Sequence, residues 1–152
     1  MKAITTKLLI MTSAIAFMSV MLMLSSCSGD DSDPITPDQQ MLTNLKNGGI
    51  PWSLVSVTKD GYDVADEFTG FALLIGDFTY NTQNGVSSAW PASGTWQFYN
   101  GNINVMLRND GVLINSTIVN NQLILKFTVT GVSEGGRVEG VDGEYHFVMQ
   151  NQ

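Results

Sequence analysis

His146 is the only histidine of this 152-residue chain and Cys27 its only cysteine, which narrows the chemistry its side chains can perform. A hydrolytic triad needs a histidine beside a nucleophilic serine and an acid. His146 alternates out of phase with Tyr145 and Phe147, so it should face away from an apolar core, and the chain has no Gly-x-Ser-x-Gly elbow. One histidine without a free thiol cannot make a zinc centre. The run Asp60-Gly61-Tyr62-Asp63-Val64-Ala65-Asp66-Glu67 sets four carboxylates in eight residues, a supply of oxygen that could suit calcium. Its spacing is not that of an EF-hand loop, and a solvated hairpin loop accounts for it. Paired carboxylates also serve glycoside hydrolysis, but nothing sets two of them across a cleft. The expectation is a protein without catalytic residues, metal or cofactor. Loop aromatics are the remaining recognition chemistry: Tyr62 and Trp90 lie in turn-rich stretches where rings contact sugars or proteins, unless Trp90 folds back to close the domain.

The cysteine has a different use. Lys2 and Lys7 precede an apolar stretch from Leu8 to Leu24, and Leu24-Ser25-Ser26-Cys27 then has the pattern of a bacterial lipobox. This predicts a signal peptide over 1–26, cut before Cys27, which then carries lipid. A 17-residue stretch is at the lower limit for a spanning helix, so an uncleaved single-span anchor is the rival. Several acyl chains would hold the protein firmly, since each buried methylene contributes about 0.8 kcal/mol. Residues 27–35 form the lipidated cysteine and an acidic flexible linker, Ser28-Gly29-Asp30-Asp31-Ser32-Asp33 being too charged and small to bury. The tract resembles the acidic stretch that sends many Bacteroidetes lipoproteins to the cell surface. The periplasmic face of the outer membrane is the alternative.

Cleavage would leave 126 residues, enough for one domain, with five basic and fourteen acidic residues and a formal charge of −9. Such a surface lacks the basic footprint of a nucleic-acid binder and is repelled by anionic headgroups. The membrane is then reached through the lipid anchor.

The domain, residues 36–152, must supply the scaffold. Thr36-Pro37-Asp38-Gln39 reads as a helix start, with Thr36 as N-cap, Pro37 at the first helical position and Gln39 closing a capping box. The helix, 37–47, aligns Met41, Leu42 and Leu45 and should end at Gly48 or Gly49. Too short to be stable alone, it is expected to lie as a lid over one end of the domain behind it. From Pro51 on, the hydrophobic period is 2. Runs at 52–59, 70–75, 78–83, four more between 94 and 130, and a last at 144–150 are separated by turns such as Asn100-Gly101, Asp110-Gly111 and Asn120-Asn121. The fold class is thus all-β: an antiparallel eight-stranded up-and-down barrel or a barrel-like sandwich, with a short N-terminal helix. The expected inward set is bulky: Leu54, Leu73, Trp96, Phe98, Ile103, Leu107, Ile114, Leu125, Phe127, Tyr145 and Phe147. An eight-stranded lumen with such a lining is filled or holds one small molecule at a mouth.

Trp90-Pro91-Ala92-Ser93-Gly94-Thr95-Trp96-Gln97-Phe98 resembles the W-P-x-S-G-T-W-x-F segment of lipocalin-like lipoproteins of the Bacteroidetes. Pro51-Trp52-Ser53-Leu54 and Gly143-Glu144-Tyr145-His146-Phe147 are similar to the first and last strands of that family. The resemblance spans about residues 40–150 and implies the barrel; most members have no assigned activity. Lipocalins proper pack a late arginine across a G-x-W tryptophan. The nearest match here, Gly49-Ile50-Pro51-Trp52, carries one residue too many, so Trp52 with Arg137 as structural pair stands beside a solvated Arg137. Two functional readings follow. In one, Trp90, Trp96 and Tyr145 line a non-catalytic site for a small apolar ligand. In the other, a filled barrel contacts a protein or glycan through loops 60–69 and 84–92.

Overall fold

Nine strands make one antiparallel sheet that closes on itself. In the computed structural model, which describes residues 34–86, 89–131 and 141–151, the strands are β1 (Trp52–Lys59), β2 (Tyr62–Asp63), β3 (Ala72–Ile75), β4 (Thr79–Gln83), β5 (Ser93–Tyr99), β6 (Asn102–Arg108), β7 (Leu113–Val119), β8 (Gln122–Val129) and β9 (Gly143–Asn151). From β3 to β9 each strand pairs with the next, and β1 pairs with both β3 and β9. This closure decides for an eight-stranded barrel over a sandwich, with the two-residue β2 as an added flap on β1. Cys27 and Arg137 lie outside the described residues. Among the described residues no helix is long and apolar enough to cross a membrane.

Turn chemistry sets the meander. Asn100-Gly101 and Asn120-Asn121 all take positive φ, between 50° and 73°, which matches the twist of the flanking strands in two-residue hairpins. Period 2 breaks at two bulges. In β1 the register slips between Leu54 and Ser56, so Trp52 and Val57 are both buried although five residues apart. A second slip follows Phe98 and reverses the phase of β6. Met106 and Arg108 point inward, opposite Phe98 and Trp96, while Leu107 pairs with Gln97 and Leu113 on the outside. The expectation that Leu107 lines the core is therefore corrected. A one-residue slip moves every later side chain to the other face.

The helix α1 (Pro37–Lys46) has the predicted start. The Gln39 amide donates to Thr36 Oγ1, and the Thr36 amide donates to Gln39 Oε1 at 2.9 Å. Its end comes earlier than expected, because Asn47 takes the left-handed cap at φ 51° and Gly48 and Gly49 continue as a 3-10 turn. Met41 and Leu45 are buried. α1 touches β3 and β6, strands from different sides of the barrel, and is tied to the same rim by Trp52 Nε1 donating to the Leu45 carbonyl (2.8 Å), Asn47 Nδ2 donating to Asn151 Oδ1 (3.1 Å) and Lys46 pairing with Asp77 (2.7 Å). The helix closes that end.

Candidate functional site at the plugged mouth of the barrel

The opposite end would be the opening, and two loops fill it. After the flap β2 the chain makes a 3-10 turn, Ala65–Phe68, and drops Phe68 and Phe71 into the barrel, where both are buried. The β4–β5 loop sends Trp90 in beside them; it is 1% exposed. These side chains meet those rising from the strands at ring separations of 5.1–6.1 Å: Trp90 touches Phe71, Tyr80, Phe127 and Phe147, and Phe68 touches Phe147. Most pairs are edge-to-face, the arrangement the ring quadrupole favours; Tyr145, Phe127 and Phe147 form the stacked wall beneath.

Arg108 ends inside this cluster. Its guanidinium carbon lies 5.2 Å from the Trp90 ring and 5.8 Å from Phe127. Nη1 donates to the Ala89 carbonyl at 3.1 Å, while Nε and Nη2 grip the Asp110 carboxylate, the closest contact being 2.6 Å. A charge that is 2% exposed needs such a partner set, because an unpaired buried ion is strongly destabilising. Burial pushes the Asp110 carboxyl upward, but the hydrogen bonds and charge of Arg108 outweigh it and hold it below the ordinary carboxylate range. Burial also raises the Tyr80 and Tyr145 hydroxyls; for Tyr145 the nearby Glu67, Asp60 and Asp142 add to it.

The three aromatics expected to line a ligand site do not share one opening. Trp90 and Tyr145 belong to the plug and its wall, the Tyr145 hydroxyl donating to the Val141 carbonyl at 2.9 Å. Trp96 packs apart from them with Phe78 and Phe98, its indole donating to the Thr79 carbonyl. All three are core residues. Trp52 is not covered by an arginine among the described residues; its indole caps α1. An arginine–tryptophan pair among the described residues joins Arg108, the last residue of β6, to Trp90 in the β4–β5 loop. The available signal was Arg108-Asn109-Asp110-Gly111, an arginine with an acid two residues on at a tight turn.

The W-P-x-S-G-T-W segment acquires a packing explanation. A Cβ on Gly94 would lie 2.6 Å from the Tyr80 hydroxyl and press on the Asn109 side chain, so glycine there lets Tyr80 reach the rim. Gly94 thus positions Tyr80 against Trp90, and Trp96 fixes the start of β4.

On the outer wall, Thr58, His146 and Lys126 form a cross-strand row. Burial and the Lys126 charge lower the His146 pKa, Glu144 opposing them. Among the described residues no three His, Cys, Asp or Glu side chains converge to hold a metal, and the acidic stretch 60–67 forms the flap and its 3-10 turn. The pronounced hollows of the described surface are open grooves between strands and turns. Fold and site together define a closed antiparallel barrel with an aromatic plug and a buried, acid-paired arginine. Comparison with family models, curated proteins and solved structures returned no match.

Proposed function

We propose that this chain is a lipid-anchored, extracytoplasmic domain akin to the lipocalin-like lipoproteins of the Bacteroidetes, and that it acts as a non-catalytic interaction module for a protein or glycan. The observation that carries this reading is the filled interior: the space where a ligand would enter holds Phe68, Phe71 and Trp90, and the residues suited to line a pocket serve as core. Recognition then falls to the outside, where Tyr62 stands 77% exposed at the tip of the flap among Asp60, Asp63, Asp66 and Glu67. Cys27 would carry the lipid and place the domain at the outer membrane, on the cell surface in preference to the periplasmic face.

One observation favours a second reading, an occluded small-molecule site. Trp90 Nε1 and the Tyr80 hydroxyl are buried and find no hydrogen-bond partner, and an unsatisfied buried donor costs about 1–3 kcal/mol. A ligand bearing an acceptor would satisfy them if the loop-borne plug moved aside. Native mass spectrometry of the protein purified from its own host decides between the two. A mass with no added molecule supports the filled-core module; a co-purifying small molecule lost on denaturation overturns it in favour of the occluded site.

A further inference from the structure

The two ends of the barrel differ in polarity. Among the described residues eight large hydrophobic side chains are exposed, and five of them, Ile35, Ile50, Phe78, Tyr99 and Val119, belong to the end that α1 closes, at 38–69% exposure. They are spread around that rim one per connection: Ile35 before α1, Ile50 between α1 and β1, Phe78 in the β3–β4 turn, Tyr99 at the β5–β6 turn and Val119 at the β7–β8 turn. The other three are Val55 at the β1 bulge and Tyr62 and Leu113 toward the far end. The acids have the opposite bias. Of nine in the described residues, Asp60, Asp63, Asp66, Glu67, Asp110, Asp142 and Glu144 occupy the plugged end, and only Asp38 and Asp77 the helix end, where Asp77 is neutralised by Lys46.

Phe78 is the most telling member. It holds φ at +54°, a region that bulky side chains rarely adopt, and although one side of its ring packs on Trp96 and Phe98 the residue remains 44% exposed. A glycine or asparagine would make that turn without strain. Tyrosine and phenylalanine at a rim, with aliphatic neighbours and little charge, are suited to the region between lipid headgroups and acyl chains.

We propose that the helix-closed rim is a membrane-docking face, and that its apolar side chains rest in the surface of a zwitterionic lipid bilayer. The covalent tether fits this occupant, a step that rests on the lipid-anchor reading above: the chain enters the domain at Ile35, eight residues after Cys27, a span of at most about 28 Å. Charge fits it too, because docking by this rim turns the acidic end, which anionic headgroups would repel, outward. The barrel then stands upright on the membrane and presents the flap and Tyr62 away from it.

Cysteine usage makes the test direct. In the lipidated chain Cys27 is consumed, so Tyr99→Cys, Val119→Cys or Tyr62→Cys supplies the one thiol for a nitroxide label, each at an exposed site. With the full lipidated chain in phosphatidylcholine vesicles, labels at 99 and 119 should be several-fold more accessible to oxygen than to a water-soluble nickel chelate, relative to the label at 62. Equal, water-like accessibility at all three sites in a chain whose mass includes the lipid overturns docking and leaves the anchor intact. A mass showing unmodified Cys27 instead refutes the anchor. Docking is then judged by co-sedimentation of the chain beginning at Cys27 with the same vesicles: binding weakened about tenfold by Tyr99→Asp and Val119→Asp together, roughly one interfacial apolar contact, supports it. No binding, or binding indifferent to the substitutions, overturns it.

Discussion

Removing the Trp90 side chain tests whether the barrel mouth is a structural plug. Trp90 is buried against four aromatic rings and the Arg108 guanidinium. Trp90→Ala leaves a cavity that loop residues cannot fully refill, and such truncations cost about 3–5 kcal/mol. Loss of a desolvated cation–π face adds up to about 2 kcal/mol. Against a total stability of about 5–15 kcal/mol for a domain of this kind, the variant should be marginal, with Tm lower by about 12–28 °C at roughly 4 °C per kcal/mol. Trp90→Phe is the discriminating control. The indole N–H has no partner, so nothing polar is lost, and the smaller ring should cost only about 1–2 kcal/mol. Urea unfolding followed by circular dichroism measures both. A loss below about 1 kcal/mol for Trp90→Ala would refute the plug, and so would a Phe variant as unstable as the Ala variant.

Gly94→Ala should destabilise by about 1–3 kcal/mol through overpacking, and Tyr80→Phe in the same chain should recover part of it by withdrawing the hydroxyl; thermal unfolding of the single and double variants checks this. Acid should weaken the mouth. With the Asp110 pKa below its unfolded value of about 3.9, the Arg108–Asp110 pair contributes fully above that pH and is lost as pH falls through the folded pKa; Asp110→Asn should flatten the stability profile there. His146 acts at higher pH. Its folded pKa is depressed, so the unfolded chain takes up the proton first, and stability should fall as pH drops from about 6.5 toward the folded value. A His146 titration followed by NMR at or above 6.5 refutes this. Finally, Cys27→Ala should leave the leader uncut or the protein mislocalised, and normal membrane anchoring of that variant would refute the lipobox.

Much of the architecture was legible because it rests on local chemistry. The capping box at Thr36 and Gln39, the Asn-Gly hairpin and the alternation of Leu123, Leu125, Phe127 and Val129 each encode their own geometry within a few residues. What was not legible depends on register. The slip after Phe98 has no residue signature of its own, so Leu107 read as core and the pairing of Arg108 with Trp90 stayed hidden. Trp90 folding back to close the domain was legible, but its partners Phe68 and Phe71 were not: they precede β3, and their inward course is fixed only by the barrel wall they meet. Closure through β1 and β9 is likewise invisible to a pattern that barrels and sandwiches share.

That closure has a consequence for how the molecule is made. Trp52 on β1 is paired with Asn151 on β9, so the first strand, already paired with β3 on one edge, waits for β9 before its other edge has a neighbour. During synthesis every other hairpin can zip as it emerges, but the seam cannot, and contacts this distant in sequence are slow to form. Until then β1 and β8 present bare edges able to pair with other chains. A truncation of β9 by a handful of residues should therefore yield not a slightly weaker barrel but an open sheet prone to aggregate.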